Sequence, residues 1–300
     1  MQKFNTEKMA MIAVALSGLA WGIFWIPLRA LEHQGIAGIW SVVMFYTVPA
    51  LMMLPVYATR GRKLASAGAP FHISGILAGL ALVFYSGALV FTDVIRALLF
   101  FYLTPLWSSL LARVVLGERI TAVRWITMAT ALVGLLLVLR IDEGLEATLN
   151  FGDWMGLASG IIWAFAAVRI KSDEVHDSVD YTLSYFFWGS LAAFVLASLP
   201  LASASPAPDT SAITTALPWF LPIALILIIP PSMAVMWGAR MISPGLLPII
   251  FMTEISAGSI TAAIWAGEPF GAREIAGVIL ITSAGLIEPL WGLRRKTTSA

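Results

Sequence analysis

The 300-residue chain contains no cysteine, which excludes disulfides and thiolate metal sites and leaves its redox compartment unmarked. Charge is almost as scarce. Asp, Glu, Lys and Arg make up only 12% of the residues, against about a quarter in an ordinary soluble domain. The formal net charge is +1, and no basic stripe suited to nucleic acid occurs. The three histidines, His33, His72 and His176, are scattered, so no metal cluster is expected. Walker, nucleophile-elbow and HExxH motifs are missing as well, which argues against ATP-driven pumping by this chain alone. No cofactor is called for.

What the chain has is apolar surface: 59% of its residues are hydrophobic, more than a soluble core could hide. Long apolar runs recur from Met9 to Trp291, each near the roughly 20 residues that a helix needs to cross about 30 Å of hydrocarbon. Membrane β-strands would instead read as alternating segments of about 10 residues. The expected fold class is therefore an all-α integral membrane protein. Runs bounded by charge, Gly or Pro predict ten transmembrane helices near 9–31, 37–58, 72–92, 95–115, 121–140, 153–171, 181–200, 217–239, 244–266 and 273–292. No small-residue cleavage site follows the polar segment Met1–Lys8, so the first run reads as a retained helix. Pro200 to Ala216, PLASASPAPDTSAITTA, reads as a loop.

Cytoplasmic loops retain Lys and Arg. With the N-terminus inside, that side holds Lys3, Lys8, Arg60, Arg62, Lys63, Arg113, Arg119, Arg124, Arg169, Lys171, Arg240, Arg294, Arg295 and Lys296, leaving only Arg29, Arg96, Arg140 and Arg273 opposite. The acidic run Asp142, Glu143 and Glu146 also falls outside. Both termini are expected to be cytoplasmic.

The sequence repeats weakly. LAWGIFWIPLR in the first helix resembles IIWAFAAVRIK in the sixth, pairing Trp21 with Trp163, and Gly117-Glu118 after the fourth helix pairs with Gly267-Glu268 after the ninth. Equivalent helices then lie five apart. Five is odd, so the halves enter the membrane in opposite directions, as two inverted five-helix repeats at 1–140 and 151–293 around a central cavity.

These residues also resemble a known family. The LAWGIFWIPLR opening, the YLTPLWSSLLARVVLGE segment at Tyr102–Glu118 and the five-plus-five layout look like the EamA family of the drug/metabolite transporter superfamily. RALLFFYLTPLW at Arg96–Trp107 is similar to that family's aromatic amino acid exporters. The resemblance implies a basket in which helices one, three, four, six, eight and nine surround the cavity. One departure stands out: the second half reads FMTEIS where the first reads YLTPLW, so the equivalent Tyr and Pro are missing and a carboxylate appears.

That carboxylate, Glu254, is the deepest acid in the chain, where ionisation costs a few kcal/mol or more unless water or a partner is at hand. It reads as a proton-coupling group, a substrate contact or a packing acid. Trp21, Trp25, Trp107 and Trp163 lie inside helices, away from the headgroup belts, and Tyr85 and Tyr102 are as deep. Their polar edges favour a cavity-facing wall, with ordinary ring packing as the alternative. Trp21 and Trp25 share a face by their four-residue spacing. Among the prolines, Pro105 is the expected hinge. Asp93 and Arg96 read as an interfacial pair.

The expectation that follows from this family resemblance is a secondary transporter of the inner membrane that exports amino acids, aromatic ones included, and related small metabolites. Its partners would be the small-molecule substrate and the lipid bilayer. Another cargo on the same fold, such as a nucleotide sugar or drug cation, is one competitor; a polytopic enzyme or receptor is the other. A nucleotide sugar would call for several intramembrane cations, and an enzyme for converging catalytic groups.

Overall fold

The computed structural model describes residues 2–92, 94–138, 149–199, 206–265 and 270–297, and every regular element among them is a helix. Seven of the described stretches are long and apolar enough to cross a bilayer, and an eighth joins them if a pair bent by 82° is one span. Apolar side chains such as Ile12, Leu16, Val133, Ile226 and Ile279 stay exposed on the outside of the bundle, the surface that hydrocarbon would wet. Asp93, Arg140, Asp142, Glu143, Glu146, residues 200–205, Gly267 and Glu268 lie outside the described residues, as does the side chain of Arg96.

Several runs expected as single helices are interrupted. The first becomes α1 (Gln2–Gly22) and α2 (Trp25–His33), because Pro27 has no N–H to give the carbonyl of Ile23. The second turns at Met53 between α3 (Ile39–Met52) and α4 (Leu54–Ala65), with Pro55 in the first turn of the new helix. After the unbroken α5 (Ala69–Phe91) comes the fourth run, α6 (Val94–Phe101) and α7 (Thr104–Leu116), broken at Tyr102–Leu103. Pro105 lies in the first turn of α7, where a missing N–H costs little. The Phe101 carbonyl that Pro105 cannot satisfy accepts the Thr104 hydroxyl instead. Gly117, at φ +67°, ends α7 in the left-handed conformation that glycine adopts freely.

The chain continues through α8 (Ala122–Val138), α9 (Phe151–Ser172) and α10 (Ser178–Ser198). The eighth run starts earlier than expected, since Thr210–Ala216 of the predicted loop is already helical: it is α11 (Thr210–Ile223), a π-helical stretch at Ala224–Ile228 and α12 (Ile229–Met241). Pro222, Pro230 and Pro231 bracket that loosened stretch. The ninth run breaks at Met252 between α13 (Leu247–Phe251) and α14 (Thr253–Trp265), and α15 (Ala272–Thr297) closes the fold. Thus α7 and α14 both restart at a threonine, one step past the break.

Packing pairs α5 with α9, α1 with α12, α9 with α6 and α7, α1 with α13 and α14, and α8 with α15. Gly160 on α9 permits the close approach to the α6–α7 break: a Cβ there would fall 2.8 Å from Thr104 Oγ1 and 2.9 Å from the Phe101 carbonyl. Helix α4 and the start of α10 are tied by ion pairs. Arg60 meets Asp177 at 2.6 Å and Asp180 at 2.8 Å, and Lys63 meets Asp180 at 2.5 Å.

Candidate functional site

Both interrupted helices, α6–α7 and α13–α14, bring their breaks to the middle of the bundle. There Glu254 stands in the first turn of α14, where the free N–H end of a helix favours an acid. It is 8% exposed. Its Oε1 accepts a hydrogen bond from the Tyr85 hydroxyl of α5 at 3.1 Å. Its Oε2 accepts one from the Tyr102 hydroxyl in the α6–α7 break. Among the described residues no Lys, Arg or His forms an ion pair with Glu254. The carboxyl therefore sits between two neutral phenols with no fixed countercharge.

Beside it lies a cavity of about 30 Å³ whose wall includes Trp21, Leu82, Phe101, Tyr102, Trp163, Tyr185, Met236 and Phe251. That volume holds a water or two, so a metabolite needs the helices to part. The wall is almost wholly apolar. Tyr185 donates to Tyr46 at 3.3 Å, and the Trp21 indole N–H has no hydrogen-bond partner among the described residues. Trp21 is instead edge-on to Phe45 and Phe251, with ring centres 5.5 and 5.8 Å away.

Of the residues singled out in the sequence, Trp21, Tyr102 and Trp163 border this cavity. Glu254 and Tyr85 lie one layer behind Tyr102. Trp25 and Trp107 stand elsewhere. Trp25 donates to Thr261 Oγ1 at 3.1 Å and carries the Arg29 guanidinium 4.7 Å above its ring. The interruption at Ile23–Phe24 turns it off the face it would share with Trp21 on a continuous helix. Trp107 lies past the break, and its indole N–H is buried without a partner among the described residues. Tyr46 and Tyr185 are not among the residues expected at the site; Tyr46, mid-span in the second run, carries the same signal as Tyr85, whereas Tyr185 lies about one turn from the start of the seventh.

A second polar cluster lies outside the spans, at the α9–α10 corner. Burial works against ionisation of Asp173, but hydrogen bonds from the Tyr181 hydroxyl, the Val175 N–H and His176 outweigh it and hold the carboxyl at about 2. Among the described residues no group of His, Asp or Glu is arranged to hold a metal ion.

Residues 8–140 match the EamA-like transporter family. Over 271 residues, covering 87% of this chain and 86% of the relative, the sequence is 26% identical to a protein of Escherichia coli (strain K12) named "Biotin transporter". A protein of the same name from Salmonella typhimurium (strain LT2) is 26% identical over 273 residues, with 87% and 86% covered. A solved crystal structure of 16% sequence identity shares the fold, with a TM-score of 0.73 over 96% of this chain and 98% of that one.

Proposed function

Since residues 8–140 make this chain a member of the EamA-like transporter family, we propose that it is a secondary transporter of the inner membrane that exports amino acids, aromatic ones included, and kindred amine-bearing metabolites. The observation that carries this reading is the single carboxyl, Glu254, bonded to Tyr102 at the wall of an otherwise aromatic and apolar cavity. Apolar contact is non-directional and tolerates many side chains, while one acid offers an ammonium its partner. Trp21, Tyr102, Trp163, Tyr85 and Glu254 form the substrate site in this reading, with the α6–α7 break before Pro105 as a hinge.

Alternating access follows from ten helices in two inverted repeats, 1–140 and 151–293, with both ends cytoplasmic. The helix pairing supports this arrangement. Helix three packs on six as eight packs on one, four on six as nine on one, and five on ten, which is its own counterpart. Exchanging each helix with the one five later leaves that set unchanged, as a two-fold relation between halves requires. The interruptions support it too, since the fourth and ninth helices break at matching places, and broken helices at corresponding positions commonly mark a transporter's site.

A second reading is favoured by the relatives named as biotin transporters: a ureido or carboxylate compound in place of an amine. Uptake and efflux of radiolabelled phenylalanine, tryptophan, an aliphatic amino acid and biotin by proteoliposomes separates the two. Saturable flux of the amino acids is the expected result. Flux of biotin alone would transfer the fold to the second reading, and flux of none would remove both.

A further inference from the structure

A carboxylate withdrawn from water costs several kcal/mol unless a positive charge or a proton offsets it. Among the described residues no cation forms an ion pair with Glu254. The groups that face it are the phenols of Tyr85 on α5 and Tyr102 in the α6–α7 break. Of the helices packed on α14, α1 carries Glu7 and Lys8 about 15 Å before Gly18, where α1 touches Thr253. Helix α2 touches α14 where Trp25 donates to Thr261, and its Arg29 lies over the Trp25 ring, while α15 carries Arg273 and Glu274 at its start, bonded to the Leu137 carbonyl and the Gly271 N–H. The side chain of Glu288 on α15 lies outside the described residues.

We propose that Glu254 is an exchange site, which holds either one proton or the ammonium head of the substrate but never both, so that export of an amine runs against one proton. The step balances simply. The O–H bond of the protonated Glu254 breaks, the proton leaves to water, and N–H···O bonds from the ammonium form on the oxygen it vacates. Tyr102 covers the carboxyl from the cavity side. It lies in the two-residue break, outside either helix, so its ring can withdraw without unwinding a turn. Two occupants with exclusive claims on one acid provide the differential affinity that a coupled cycle demands.

The inference rests on the transporter reading, and two measurements keep them apart. In the first, the purified full chain in weakly buffered detergent solution receives 2-phenylethylamine, with 3-phenylpropionate as the isostere lacking the ammonium, while a dye follows proton release across a pH series. About one proton per bound amine is expected at low pH, with amine affinity falling about tenfold per pH unit where the acid is protonated, and no release with the acid isostere. Glu254→Gln should abolish the release and the pH dependence. Tyr102→Phe should keep the release while shifting amine affinity, which checks the site even if the Gln variant unfolds. Equal binding of the two isosteres by wild type without proton release would overturn the inference. In the second, proteoliposome flux with and without a pH gradient reports on transport itself. Flux that ignores the gradient sinks the exchange site and leaves the transporter standing, whereas absent flux of every compound sinks the transporter reading.

Discussion

The Tyr85 hydroxyl donates to Oε1 of Glu254 across 3.1 Å, although 169 positions separate the two residues. The bond joins α5 to the first turn of α14, close to where Tyr102 adds its own. Tyr85→Phe removes one of the two donors and keeps the ring. A hydrogen bond between neutral groups is worth about 0.5–1.5 kcal/mol net, so a small fall in melting temperature in detergent is expected, with flux retained in part. An unchanged melting temperature would show that the bond contributes nothing in the resting protein.

Trp163 and Tyr102 border the cavity from opposite halves. Replacing either by Ala should lower flux by about tenfold, the factor that corresponds to about 1.4 kcal/mol, or reorder the substrate panel, while expression persists. Trp163→Phe should lose less, because most of the apolar wall remains. Transport by Trp163→Ala that matches wild type across the whole panel would assign the ring to packing.

Gly160 leaves no room for a side chain at the α6–α7 break, since a Cβ would meet backbone oxygen at 2.9 Å. Gly160→Ala should cost about 1–3 kcal/mol through forced backbone displacement and lower flux together with stability. Thermal unfolding against Gly156→Ala, where the nearest contact is a looser 3.2 Å, is the comparison that matters.

Asp180 has a fully buried side chain between Arg60 and Lys63, whereas that of Asp177 is 44% exposed. Asp180 loses more contacts on truncation, since it accepts from Arg60, Lys63 and the Asp177 N–H with no water to replace them, whereas losing an N-cap such as Asp177 costs about 1 kcal/mol. Asp180→Ala should therefore destabilise more than Asp177→Ala in parallel melts. The reverse order would mean that the cap dominates this corner. Asp173 nearby supplies a pH signature. Its folded value of about 2 lies below the unfolded value of about 3.9, so its contribution is present above about pH 4 and vanishes as pH falls through about 2. The gap in melting temperature between wild type and Asp173→Asn should close over that window.

Orientation is tested on the cysteine-free background. A single Pro206→Cys should react with an impermeant thiol reagent from the outer face, and a cysteine at position 62 only from the cytoplasm. Labelling of position 206 from the cytoplasm alone would invert the proposed topology.

By itself the sequence determined that lipid is the solvent for this chain, that its apolar runs are helical and that Glu254 is a deep acid, because runs of apolar residues and an isolated charge are local facts. It also pointed to the fourth helix, whose Tyr102 and Pro105 sit in one short string. Which of the deep tryptophans meet the cavity was decided only by tertiary structure: Trp21 and Trp163 do, while Trp25 turns to Thr261 once the first helix breaks. The break at Met252 has no proline at it. The two phenols that hold Glu254 come from other helices, so no spacing along the chain encodes them. A helix period says which residues share a face only while the helix is continuous, and this site is built where the helices are not.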